Sequence, residues 1–102
     1  SMKEEPINML GAIISPYVDM YRAKVYASGS MRAEDAAKDF NYRNKEFRLK
    51  NAARYASKFS NDQLRECFDC FAEADRMLKS TAQSSELILE KLIVRVSLII
   101  AR

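Results

Sequence analysis

The stretch Ser60–Ser80, SNDQLRECFDCFAEADRMLKS, decides the fold. Leu64, Cys67, Phe68, Phe71, Ala74 and Leu78 recur at i, i+3, i+4 and i+7, the spacing that lines one face of an α-helix. Ser60 followed by Gln63 forms a capping box that sets where the helix begins. Lys79 suits the negative pole of the helix dipole at its end. Asp75 sits on the border of the apolar stripe, one turn before Lys79, and a carboxylate there needs a partner. Its spacing from Lys79 allows a surface i, i+4 pair. It equally allows a structural polar contact that fixes how this helix meets its neighbours.

The rest of the composition agrees with a helical chain. There are two glycines and two prolines in 102 residues, and β-branched alternation is almost absent. The 48% apolar content excludes disorder, and the length suffices for one domain with its own core. The expectation is an all-α fold. The chain has no histidine, so it lacks the commonest general base and the commonest transition-metal ligand. Cys67 and Cys70 form a lone C-x-x-C with no second pair and no βαβ setting, a poor zinc or redox signal. We read Cys67 as core and Cys70 as its flank, in the reducing cytoplasm. No secretory leader pattern is present at the start. The most apolar segment, Leu87 to Ala101, is broken by Glu90, Lys91 and Arg95 and is too short to span a bilayer. Ser1-Met2 reads as a cloning remnant, and 3–102 as a single helical domain cut from a longer chain.

Taken in order, the first helix starts near Pro6, favourable in a first turn, and keeps Ile7, Leu10, Ile14, Tyr17, Tyr21 and Val25 on one face. Pro16 is expected to kink it, or to split it near Ser15. Ser28-Gly29-Ser30 ends it. A short second helix, about Met31 to Phe40, takes Ser30 as cap and Met31, Ala36, Ala37 and Phe40 as inner residues. Asn41 to Asn44 is a polar turn. A third helix, about Lys45 to Phe59, is capped by Asn44, and its apolar side is Phe47, Ala52, Tyr55 and Phe59, with Leu49 and Ala56 beside them. Between Arg43 and Lys58 there are six basic residues against the single acid Glu46. After the polar loop Thr81 to Ser84, Ser84 or Ser85 caps a last helix that is apolar on far more than one stripe. Such a helix is buried on most sides, in its own bundle or against another chain.

No catalytic constellation emerges. Phosphate-cradling, dinucleotide and nucleophile-elbow motifs are absent from the sequence, and two glycines cannot build a phosphate loop. The obvious carboxylates have cationic neighbours, Asp75 with Lys79 and Glu86 and Glu90 with Lys91. The five tyrosines read as half-buried amphipaths. Neither a cofactor nor a metal is expected. The second and third helices superficially resemble a helix-turn-helix in which Asn44, Lys45 and Arg48 reach DNA. Against that, the positive charge runs around the third helix and the net charge is only +3.

Two motifs remain. One is Phe47-Arg48-Leu49-Lys50-Asn51-Ala52-Ala53-Arg54, followed by Ala56, Lys58, Phe59 and Ser60. The other is Glu73-Ala74-Asp75-Arg76-Met77-Leu78-Lys79-Ser80, followed by the leucine- and isoleucine-rich last helix. Their order and spacing resemble the C-terminal domain of the delta subunit of bacterial DNA polymerase III, a clamp-loader component. The resemblance covers essentially the whole chain after Ser1-Met2. Its signature positions are Arg48, Lys50, Asn51, Ala52, Phe59, Ala74, Asp75, Leu78 and Lys79. Thr81 stands where the family commonly has glycine.

The resemblance implies a compact five-helix collar module. It would join the collar domains of the other clamp-loader subunits, of gamma/tau and delta-prime type, in a ring over the sliding clamp. The implied role is assembly during DNA replication, without ATP hydrolysis or clamp opening. The candidate subunit interface is Leu89, Ile93, Val96 and Ile100, and an isolated domain with such a patch exposed is prone to self-associate. Arg48, Lys50 and Arg54 are candidate phosphate contacts. The competing reading is a small DNA-binding module using the basic helix 45–58.

Overall fold

The computed structural model describes residues 4–80 and 82–102, so Ser1, Met2, Lys3 and Thr81 lie outside the described residues. The chain is all-α. Its elements are α1 (Glu4–Ser28), the short 3-10 helix η1 (Ala33–Lys38), α2 (Phe47–Ala56), α3 (Asn61–Ser80) and α4 (Ser85–Ile100), with no strand among the described residues. They group into two compact units. One combines the start of α1, up to Ile14, with Asn61–Arg102; the other is the contiguous segment Ser15–Ser60.

In the first unit, α3 and α4 pack as an antiparallel pair. α3 begins directly after Ser60 and buries Leu64, Cys67, Cys70, Phe71, Ala74 and Leu78. α4 begins at a serine cap, Ser84 Oγ accepting from the Leu87 N–H, and buries Ile88, Leu89, Leu92, Val96 and Ile99. Polar contacts along the pair set its register. The Gln63 side-chain amide donates to the Ile99 carbonyl (3.0 Å), Arg102 grips Glu66 through two nitrogens (2.7 and 2.9 Å), and Arg95 pairs with Glu73 (2.8 Å). Cys70, expected on the flank, is buried: it lies one turn from Cys67 and next to Phe71, on the side that α4 covers.

Pro16 does not split α1, which runs unbroken from Glu4 to Ser28. A proline in a helix interior removes one hydrogen bond and crowds the preceding turn. The helix on either side is held by buried residues, Leu10 before it and Met20 and Ala23 after it. The boundary between the two units, Ile14/Ser15, falls beside this proline. Tyr21 and Val25, expected on the inner face, are exposed; the buried positions are one or two residues away, at Asp19, Met20 and Ala23.

The end of α1 corrects the reading of Ser30 as a cap for the next helix. Ser30 itself takes the left-handed conformation (φ 61°), its N–H bonding to the Ala27 carbonyl and the Met31 N–H to the Tyr26 carbonyl. That pair of bonds is the Schellman closure, normally built on glycine at this position. Gly29, one residue too early, has an ordinary negative φ. Ser30→Gly is therefore expected to stabilise the chain by roughly 0.5–1 kcal/mol, seen as a higher urea midpoint at unchanged slope.

The segment after it is shorter and tighter than the expected second helix. η1 is one 3-10 run whose start is fixed by Asp35, which accepts from the Arg32 N–H (3.0 Å). Only Ala33 and Ala36 are buried there, while Met31 and Phe40 are exposed. Asn44 does not cap α2. It sits in a left-handed turn (φ 55°) two residues before Glu46, and α2 starts without a side-chain cap, through the tight bonds from Arg48 N–H to Lys45 O and from Leu49 N–H to Glu46 O. The buried side of α2 is Leu49, Ala52 and Ala56; Leu49 clusters with Ala36 and Tyr42, with Tyr26 and Ala37 against them. Phe47 and Tyr55, expected inside, are each 59% exposed. Small alanines let α2 approach η1 closely, which bulky rings on that side would prevent.

Ionic contacts define the pH response. Hydrogen bonds hold three carboxyls below their usual range: Asp35 from the Arg32 backbone, Glu66 from Arg102 and Glu73 from Arg95. Folded values below unfolded ones mean stabilisation that is complete above the ordinary carboxylate range and lost as pH falls through it. At the alkaline end, burial pushes the Cys67 thiol up to about 11. The neutral-thiol preference is fully expressed below the unfolded cysteine value and lost as pH rises through the folded one. With no histidine in the chain, the melting temperature is expected to be flat from about pH 5.5 to 8 and to fall on both sides. A titration step near pH 6.5 in a series of melts contradicts this.

Candidate functional site

Two outward faces and one buried polar cluster hold the residues to which a function was assigned. The first face is the outer side of α4. Leu87, Val94 and Leu98, at i, i+7 and i+11, lie opposite the buried side, and Leu98 is 65% exposed. Ile93 (53%) and Ile100 flank them, seven residues apart. Of the four interface candidates, Ile93 and Ile100 are therefore available. Leu89 and Val96 are not: they are buried with Ile88, Leu92 and Ile99. Helical geometry explains the mixture, since Leu89, Ile93, Val96 and Ile100 form a regular stripe that straddles the edge of the surface covered in the fold.

The buried polar cluster lies in the second unit and centres on Asp19, a carboxylate only 5% exposed. Tyr42 donates its hydroxyl to one oxygen (2.6 Å), and Arg48 donates to the other from Nε (3.0 Å) and Nη2 (2.7 Å). Arg48 Nη2 also reaches Ser15 Oγ, and Arg22 donates to the Tyr42 hydroxyl (3.0 Å) while its guanidinium lies 3.8 Å over the Phe40 ring. Burial, and then the bond to Asp19, raise the Tyr42 hydroxyl above its usual value. This network is the polar contact that fixes helix packing. The acid that needs a partner on an inner face is Asp19, beside the buried Met20. Asp75 itself makes the plain surface pair with Lys79 (3.0 Å), both side chains well exposed.

Arg48 is thereby removed from the candidate phosphate contacts, because its guanidinium is committed to a buried acid. Of the other signature residues, Ala52, Ala74 and Leu78 are core, and the Phe59 ring packs edge-on against Tyr17 at 6.3 Å. Asn51 is exposed and accepts from Arg54 (2.9 Å). Lys50 is exposed.

The second face is the outer side of α2. Lys50 and Arg54 lie on it, with Lys58 in the turn beyond and the exposed rings of Phe47 and Tyr55 beside them. It belongs to a segment of uneven charge: residues 15–60 carry ten basic side chains against five acidic, whereas the rest of the chain has seven against nine. Among the described residues no cluster of three metal-ligating side chains occurs, and no helix is long and apolar enough to cross a membrane.

The chain is thus an all-α domain whose distinctive surface features are one apolar face and one basic face. The family model for the DNA polymerase III delta subunit, C-terminal domain, matches residues 1–96. The chain belongs to that family. No curated protein and no solved structure matches it.

Proposed function

We propose that this chain is a non-catalytic assembly domain of a clamp-loader delta subunit. It packs against the collar domains of the other subunits, of gamma/tau and delta-prime type, and acts in the cytoplasm. The observation that carries the reading is the outer face of α4. Leu87, Val94 and Leu98 stand exposed along one side of a helix whose opposite side is already buried. Leu87, Val94 and Leu98 form a contiguous exposed stripe, with Ile93 and Ile100 exposed beyond Glu90, and contiguous apolar patches mark contact sites. A ring of unlike subunits needs such a face on each module. Arg95 and Lys91 on one edge and Glu86 and Glu90 on the other supply a charged rim.

Light scattering on a sizing column, of this chain alone and mixed with the collar domain of the clamp-loader ATPase subunit from the same genome, tests the reading. A defined hetero-complex is the expected result. Failure to form one at micromolar concentration, with both domains folded, overturns it.

A further inference from the structure

The two cysteines of the chain lie together in the α3–α4 pair. Cys67 and Cys70 are free thiols, 0% and 4% exposed, on the side of α3 that α4 covers. Spacing alone makes C-x-x-C a poor redox signal. What the structure adds is a way in. Cys70 lines two grooves along the α3–α4 seam, and Arg95 borders both. Glu66 and Arg102 belong to one of them, Glu73 and Lys91 to the other. Cys67 lines neither. Three residues apart on a helix, two Cα atoms are separated by about 5 Å, within the range of roughly 4.4–6.8 Å that disulfides use. Their Cβ atoms are about 5–6 Å apart, where a disulfide needs roughly 3.5–4.5 Å. A bond between the two is therefore within reach, but only by tightening the turn 67–70 by about 1–2 Å.

We infer that Cys67 and Cys70 form a reversible disulfide inside α3 that shifts the seat of α4, a redox-sensitive device built into the pair. The oxidant is a low-molecular-weight disulfide, since only a small molecule enters the grooves to reach Cys70. The Cys70 thiolate attacks one sulfur of that disulfide, forming a mixed disulfide and releasing one small thiolate, which takes up the proton that Cys70 lost. The Cys67 sulfur then displaces the second small thiol from Cys70, and its proton goes with the leaving group. Two protein thiols are oxidised by two electrons and one small disulfide is reduced to two thiols. Cys67 is a poor first attacker, because burial, and then the neighbouring Cys70, push its thiol up to about 11. As the second it stands one turn from its target, and that proximity offsets a small thiolate fraction. Among the described residues no third metal-ligating side chain joins the pair, which favours exchange over metal binding as its chemistry.

The tightened turn lies between Glu66, which Arg102 grips, and the buried Phe71. A close-packed interior does not absorb a shift of that size without repacking. The contacts nearest to it are the Glu66–Arg102 clasp and the Gln63 bond to the Ile99 carbonyl, both at the end of α4. The same strain makes the bond easy to reduce, so the change reverses when small thiols are in excess. None of this depends on the assembly reading, which uses the outer side of α4.

Incubating the 102-residue chain with bis(2-hydroxyethyl) disulfide under native conditions, followed by intact mass, thermal melts and hydrogen exchange, tests this. The chain is expected to lose the mass of two hydrogen atoms, and dithiothreitol to restore both thiols. The oxidised chain should melt at least about 5 °C lower, and the amides of Ile99 to Ala101 should exchange at least about tenfold faster. Cys67→Ala should stop at a single adduct on Cys70, and Cys70→Ala should take up none over the same time. The measurements on the parent chain need neither variant, so a variant that fails to fold leaves the test intact. Two free thiols after treatment, or a bond that forms only in urea, overturns the proposal. So does a mixed adduct that persists with Cys67 present, an adduct on Cys67 in Cys70→Ala, or an oxidised chain that melts and exchanges like the reduced one.

Discussion

Arg48→Ala is expected to destabilise the chain by about 2–4 kcal/mol and to lower its melting temperature by more than about 10 °C. The reason is what the substitution leaves behind. Asp19 is almost wholly buried, and without the two Arg48 nitrogens it keeps only the Tyr42 hydroxyl. Breaking a buried pair from one side strands a charge, which costs more than the pair contributed. Arg48 is about one-third exposed, so solvent screens part of the effect and the lower half of the range applies if water reaches the vacated space. Arg48→Lys should recover little, because a lysine ammonium cannot present the two parallel donors that the Asp19 oxygen accepts. Removing both charges, in Asp19→Leu with Arg48→Met, should recover most of the loss. Urea denaturation of the four proteins in a double-mutant cycle gives the coupling directly. If Arg48→Ala melts like the parent chain, Arg48 is an ordinary surface cation and returns to the list of phosphate contacts.

The second large effect contrasts two neighbours on α4. Val96→Asp should cost about 3–5 kcal/mol, since it buries a carboxylate with no cation placed to meet it. Leu98→Glu, two residues on, should change stability by no more than about 0.5 kcal/mol and weaken association with a collar partner at least tenfold. Thermal melts and light scattering together separate the outcomes. A folded Val96→Asp, or a Leu98→Glu that unfolds, would mean that α4 is turned about its axis relative to the packing described above. A folded Leu98→Glu that still assembles normally would remove this face from the assembly reading.

Both contrasts turn on features that the sequence conveys unequally. α3 is plain from its residues, because a single stripe between a cap and a terminal lysine admits one orientation. α4 is plain as a helix and as one with apolar surface to spare. Its orientation is not, because with aliphatic residues on every side the sequence does not say which arc is covered. That is decided by α3, through contacts such as Gln63 with Ile99 and Glu73 with Arg95. The error at α2 has a different origin. Phe47 and Tyr55 are the largest side chains with apolar rings in α2, and assigning them inward is reasonable on the area they could bury. Close approach of η1 favours Ala52 and Ala56 instead, and that is a steric fact about a neighbour. Asp19 was the signal that was open to reading. An acid next to Met20 and one turn before Ala23, in a helix whose other positions must face inward, asks for a cation, and the basic motif around Arg48 contains it.

The two units also differ in how the chain supplies them. Ser15–Ser60 is one uninterrupted segment, so all its contacts are available as soon as Ser60 has been made. The other unit draws its α1 residues from before that segment and its α3–α4 pair from after it. The start of α1 therefore joins its unit only once residues after Ser60 have been made, and the intervening segment must be spanned before the contact is rewarded. On a ribosome the basic half can be complete while the apolar half is still open. α4, the most apolar helix of the chain, is thus made after α3, so a helix it packs against already exists when its buried side appears.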